Sequence, residues 1–206
     1  MGRRQLRAPK KVIAIVVDGQ TEKWYLESLY KAERPTGVTI KPELPKKKTL
    51  PQFYAYAEQL ARDADQVVLL LDMDAHLNDA RRAGTEKETL QVFARKRRAL
   101  ERGNITFVVN HPCLERWFLL HFEASQKAYR KQKPLIDQLR SRHLSDYRKE
   151  ETYYKHKDGS LYESLKDWLP KAIERSRAMK DFDIEQPDRA VCEMWRLFEV
   201  LGLYAK

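Results

Sequence analysis

Two aspartates two residues apart, Asp72 and Asp74, stand at the end of the apolar run from Val67 to Leu71, and a third, Asp18, directly follows the run from Val12 to Val17. Carboxylates gathered at neighbouring strand ends repel one another unless a cation lies among them. Hard oxygen donors that leave room for water and phosphate favour Mg²⁺ or Mn²⁺. The chemistry such a cluster supports is metal-assisted phosphoryl transfer or hydrolysis. In extended chain, Asp72 and Asp74 point to the same side. Each acid also has a plainer explanation, because Asp is common where helices start and Glu22 suits the positive end of a first helical turn. Glu115 sits in the most apolar helical stretch of the chain, so it needs a partner, and both a structural ion pair and a site role stay open. His121 falls on the apolar face of that helix and reads as a packed core histidine. His111, before Pro112, reads as a strand-end loop residue placed to meet substrate. Cys113 lacks a His or acid at nucleophile spacing and reads as a buried helix-start residue.

The elements that must position these residues alternate over the first half of the chain. Apolar runs at 12–17, 38–40, 67–71 and 105–109 read as strands, the third of them buried on both faces. Between them lie predicted helices over about 21–32, 52–62 and 86–101, with a polar loop after Asp74 and Gly103 ending the last helix. This is the pattern of a parallel sheet with crossover helices. If the second strand is an outer one, the first and third are neighbours, and Asp18 meets Asp72 and Asp74 where ligands bind in open α/β sheets. Beyond Asn110 no strand is predicted, only helices over about 113–122, 134–143, 160–179 and 187–201, with Asp188 in the first turn of the last. The reading is one domain over 1–206, with a βα core over 1–110 and a helical completion over 111–206.

At 206 residues the chain is too short for two full independent domains. A charged share of 34% and no apolar stretch near the roughly 20 residues of a membrane span exclude a membrane protein. Two cysteines rule out a disulfide scaffold and make a cytoplasmic protein the default. A formal charge of +10 favours anionic partners. Residues 126–157 concentrate it, with ten Lys and Arg against four acids. There Arg130, Lys131, Arg148, Lys155 and Lys157 are expected to track a phosphate backbone, with the interleaved Tyr129, Tyr147, Tyr153 and Tyr154 stacking on unpaired bases. A solvated helical hairpin is the competing explanation. Lys23 and His111 join these as expected contacts to nucleic acid.

Three blocks, Asp18-Gly19-Gln20-Thr21-Glu22-Lys23-Trp24-Tyr25, Leu71-Asp72-Met73-Asp74 and Asn110-His111-Pro112-Cys113-Leu114-Glu115-Arg116-Trp117-Phe118-Leu119-Leu120-His121-Phe122, resemble the RloB family in order and rough spacing. That family groups Toprim-like proteins of bacterial restriction and abortive-infection loci. The resemblance implies a Rossmann-like Toprim core with a four-stranded, mostly parallel sheet and C-terminal helices packed on it. It implies Asp18 as general acid/base or ligand, Asp72 and Asp74 as Mg²⁺ (or Mn²⁺) ligands, and Glu22 as an additional one. The activity implied is a Mg²⁺-dependent nuclease acting on DNA or tRNA, an anti-phage effector working with a partner ATPase and capable of homo-oligomerisation. The family usually has Glu where this chain has Asp18, which keeps the charge but shortens its reach. A catalytically degenerate nucleic-acid-binding or assembly subunit is therefore the alternative. A haloacid-dehalogenase-type phosphatase fits poorly, since its Asp-x-Asp follows the first strand, and no P-loop motif is present.

Overall fold

The computed structural model describes residues 11–35, 38–45, 49–156 and 159–203. The elements run β1 (Lys11–Val17), α1 (Gln20–Glu33), β2 (Val38–Glu43), α2 (Leu50–Leu60), β3 (Gln66–Asp72), α3 (Met73–Arg82), α4 (Glu86–Leu100) and β4 (Ile105–His111). They continue with α5 (Glu115–Phe122), α6 (Gln132–Arg142), α7 (Glu151–Tyr154), α8 (Leu161–Leu165), a 3₁₀ turn (Lys166–Trp168), α9 (Leu169–Ala178), β5 (Val191–Cys192) and α10 (Met194–Leu201).

The sheet has five strands in the order β2-β1-β3-β4-β5. The first four are mutually parallel and β5 is antiparallel to β4. β1 and β3 are therefore neighbours, and the crossovers leave β1 in both directions. This is a Rossmann-like α/β arrangement, with the carboxyl ends of β1, β3 and β4 at one edge. Side-chain alternation divides the interior in two. Ile13, Ile15, Val17, Val68, Leu70 and Val108 face α1, α5 and the C-terminal helices. Ala14, Val16, Val67, Leu69, Leu71 and Val109 face α2, α3 and α4. Buried on both faces, β3 has the continuous apolar run that such strands require.

Three expectations are corrected. The stretch after Asp72 is a helix, α3, rather than a polar loop; Met73, Leu77 and Ala80 form its buried stripe at helical spacing. The predicted helix over 160–179 is broken into α8, the 3₁₀ turn and α9. A capping box of Ser160 and Glu163 starts α8, and Pro170, which has no N–H to donate, sits in the first turn of α9. The predicted helix over 187–201 starts only at Met194. Ahead of it Val191 and Cys192 form β5, a fifth strand too short to leave a periodic signal, paired with His111 and Asn110. Asp188 thus lies outside α10 and pairs instead with Arg81 at 2.8 Å and with Arg130 at 3.4 Å.

A buried ion pair fastens the sheet edge to the last helix. Glu193, 1% exposed, accepts from Arg97 Nη1 and Nη2 at 2.9 Å each, from Val109 N at 3.2 Å and from Phe182 N at 2.9 Å. Arg97 was one of four consecutive cations in the sequence, and this contact selects it from surface charges such as Arg95 and Arg98. Burial alone pulls its pKa down, but the Glu193 carboxylate outweighs that and holds it above the ordinary value.

His121 is 1% exposed, with Nδ1 2.9 Å from the Trp117 carbonyl, a core histidine as read from sequence. Burial pushes its pKa down to about 4. In the unfolded chain it titrates near 6.5. Stability is therefore fully present above pH 6.5 and is lost as pH falls toward about 4, because only the unfolded state then takes up the proton. Urea midpoints measured across this window are expected to fall, and to fall less steeply in His121→Gln.

Candidate functional site

The edge formed by the ends of β1, β3 and β4 collects the predicted acids. Asp18 follows β1, and its Oδ2 lies 3.1 Å from Nε2 of His76 on α3. His76 is itself fixed edge-on against Phe53, with ring centroids 5.7 Å apart. Glu22, in the first turn of α1, is 3% exposed and accepts from Thr21 Oγ1 at 3.1 Å. Asp72 ends β3; its Oδ2 accepts from Leu114 N at 3.0 Å, while its buried Oδ1 has no partner. Asp74 does not lie in extended chain beside Asp72, as the sequence reading has it. It stands in the first turn of α3, with Oδ1 accepting from Gln132 Nε2 at 3.2 Å.

Electrostatics tie these groups together. Burial pushes Asp72 well above the carboxylate range, and the charges of Glu22, Asp18 and Glu115 push it further. Burial raises Glu22 as well, with Asp18 and Glu115 adding to it. Asp74 is raised by burial, against the opposing influence of Gln132 and Lys149. Clustered buried carboxylates whose charged forms are disfavoured are what a hard divalent cation relieves. The oxygen-only donor set and the unpartnered Asp72 Oδ1 fit such an ion. Among the described residues, however, no group of three or more His, Cys, Asp or Glu stands in an arrangement that could hold a metal ion.

Glu115 resolves differently from its neighbours. It is 1% exposed, yet Oε1 accepts from Tyr147 Oη at 2.6 Å and lies 2.8 Å from Lys149 Nζ. Burial raises its pKa, but Lys149, the Cys113 thiol and Tyr147 outweigh burial and hold it below the ordinary value. Lys149 also donates to Gln132 Oε1 at 3.0 Å, so one chain of contacts runs from Asp74 through Gln132 and Lys149 to Glu115. Glu115 is thus an ion-paired wall of the cluster.

Gly19 matters through its missing side chain. A Cβ there would lie 2.5 Å from Glu22 Oε2, the movable tip of that side chain. Gly19→Ala is expected to leave the fold intact and swing this carboxylate aside. Because misplacement by about an ångström can cost 10²-fold in rate, a cleavage assay beside a thermal melt checks the split between lost activity and retained stability.

The expected nucleic-acid contacts divide. Arg130, Lys131 and Arg148 are exposed. Lys23 lies 4.0 Å from Glu27, and Lys155 is held between Glu27 at 2.5 Å and Glu151 at 2.6 Å. Lys157 lies outside the described residues. His111 is corrected: it ends β4 at 1% exposure, and burial pushes its pKa down to about 4, so it does not face substrate. Tyr129, Tyr147 and Tyr154 are buried in the core and are not stacking platforms; Tyr153 is half-buried. The tyrosine pattern was packing, with Tyr147 and Tyr154 joined by a 2.7 Å hydroxyl contact. Cys113 is buried as expected.

Sequence reading missed His76 and Gln132. His76 carried a usable signal, since it follows Asp74 by two residues on a stretch whose apolar spacing is helical. Gln132, from a distant helix, carried none.

No helix among the described residues is long and apolar enough to cross a membrane. The chain matches the family described as RloB-like protein over residues 13–201. No curated protein and no solved structure matches it.

Proposed function

Because this chain belongs to the RloB-like protein family, and its acids gather at the ends of two adjacent parallel strands, we propose that it is a Mg²⁺- or Mn²⁺-dependent nuclease of Toprim type. The observation that carries this reading is the set of Asp18, Glu22, Asp72 and Asp74, whose mutual repulsion and burial favour a bound cation. Asp18, Asp72 and Asp74 would hold it, with Glu22 beside them. Such a cation supplies Lewis-acid activation of a phosphodiester and of the attacking water.

The chain's own residues do the rest. His76 keeps the Asp18 carboxylate aimed at the cluster and sets which of its oxygens remains free. Gln132 does the same for Asp74. Lys149 neutralises Glu115, which limits the negative charge that an incoming phosphate meets. Arg130 and Lys131, exposed just before α6, and Arg148, exposed after it, offer charge to a phosphate backbone. The substrate is nucleic acid, DNA or tRNA, and the setting is anti-phage defence with a partner ATPase. This setting rests on the family's association with restriction and abortive-infection loci.

A catalytically degenerate binding subunit is the second reading, favoured by the engagement of Asp18 with His76. The two separate when the purified protein, with and without its partner, is incubated with DNA or tRNA in Mg²⁺. Cleavage lost in Asp72→Asn supports the nuclease; binding without cleavage supports the degenerate subunit. Gln132→Ala is expected to lower cleavage by about 10- to 100-fold, the usual cost of losing a residue that orients a ligand.

A further inference from the structure

Asn110 is fully buried, and neither its Oδ1 nor its Nδ2 has a hydrogen-bond partner. Such a side chain is costly in a core, and buried amides are nearly always satisfied. Its position says what satisfies it. In the parallel pairing of β3 with β4, Asn110 is the register partner of Asp72. The two stand on adjacent strands, about 4.8 Å apart, and alternation sends both side chains to the face that carries Leu70, Val108 and α5. Asp72 Oδ1 is also unpartnered, as is Glu115 Oε2 on α5. An unpartnered carboxylate oxygen and an unpartnered amide in register on one face, at the carboxyl edge of the sheet, have the chemistry of a shared electropositive ligand once the amide turns its oxygen toward it.

We propose that Asn110 Oδ1 is a neutral ligand, beside Asp72 Oδ1, for the divalent cation; the inference rests on the metal site of the proposed function. An amide carbonyl is an ordinary oxygen donor for Mg²⁺-class ions. A neutral donor also suits this place, since a carboxylate there would add to the repulsion already imposed on Asp72 by Glu22, Asp18 and Glu115.

The test is Mn²⁺ binding to the full chain, followed by calorimetry and by the loss of the free-ion electron paramagnetic resonance signal, in wild type, Asn110→Leu, Asn110→Ser and Asn110→Asp. Metal-free melting is measured in parallel. Asn110→Leu keeps the volume but removes both unpartnered atoms, so its metal-free melting temperature should be no lower than that of wild type while Mn²⁺ affinity falls about 10-fold or more. Asn110→Ser covers the case in which Leu does not fold and should also bind weakly. Asn110→Asp should bind at least as tightly as wild type and melt lower without metal. Wild-type affinity in Leu and Ser would overturn the inference and leave the metal site standing. Absence of Mn²⁺ binding by wild type at millimolar ion would overturn both.

Discussion

Asp72→Asn is expected to abolish nucleic-acid cleavage and, at the same time, to raise the melting temperature of the metal-free protein. Both effects come from one placement. The carboxylate is buried at the end of β3 among the charges of Glu22, Asp18 and Glu115, which disfavour its ionised form. The Leu114 N–H bond to Oδ2 and the Lys149 charge oppose them. Asparagine keeps an oxygen to accept that bond and removes the charge, so the fold is relieved of repulsion. For a chain of this size the gain reads as about 2–4 °C per kcal/mol. The loss of function should exceed the 10- to 100-fold typical of residues that merely orient a ligand. Thermal melts with and without Mn²⁺ check both halves, since the ion should stabilise wild type by mass action and leave the variant unmoved. A variant that melts lower and still cleaves would contradict the arrangement.

Glu193→Ala is expected to be the most damaging single change to stability. It would leave the Arg97 guanidinium, 12% exposed, with only the 3.3 Å contact of its Nε to Glu101, and the Val109 and Phe182 N–H groups without the carboxylate that accepts from them. Breaking a buried pair from one side costs about 3–5 kcal/mol. Urea unfolding at neutral pH measures it. Replacing both partners with apolar residues, Arg97→Met with Glu193→Leu, should cost less than Glu193→Ala alone, because the only carboxylate then left without Arg97 is Glu101, which is partly open to solvent. A loss of under about 1 kcal/mol for Glu193→Ala would show that the pair does not hold β5 and α10 to the sheet.

The difference between these two sites shows what a sequence carries. Asp18 and Asp72 were legible because each ends an apolar run, and strand ends are where βα folds bind ligands. The order of β1 and β3 followed from the handedness and compactness of crossovers. Glu115 announced its need for a partner by sitting among Leu114, Trp117 and Phe118. Its partner Lys149 was visible only as one cation in a basic segment, because nothing local distinguishes an exposed lysine whose ammonium reaches a buried carboxylate. The same segment misled about its tyrosines: alternation with cations suggested stacking surfaces, whereas Tyr129, Tyr147 and Tyr154 fill the core. Asp74 was placed on the right edge for a reason that fails, since α3 begins immediately after Asp72 and helical geometry replaces strand alternation. β5 is a two-residue strand created by pairing with Asn110 and His111. Contacts between distant segments made that element, and no window of sequence contains them.

The central claim is a divalent cation held where β1 and β3 end, and a crystal of the full chain soaked in Mn²⁺ tests it most directly. Anomalous density among the carboxylates of Asp18, Asp72 and Asp74, within ligand distance of Asp72 Oδ1, is the predicted result. Density elsewhere, or none at millimolar Mn²⁺, would contradict it.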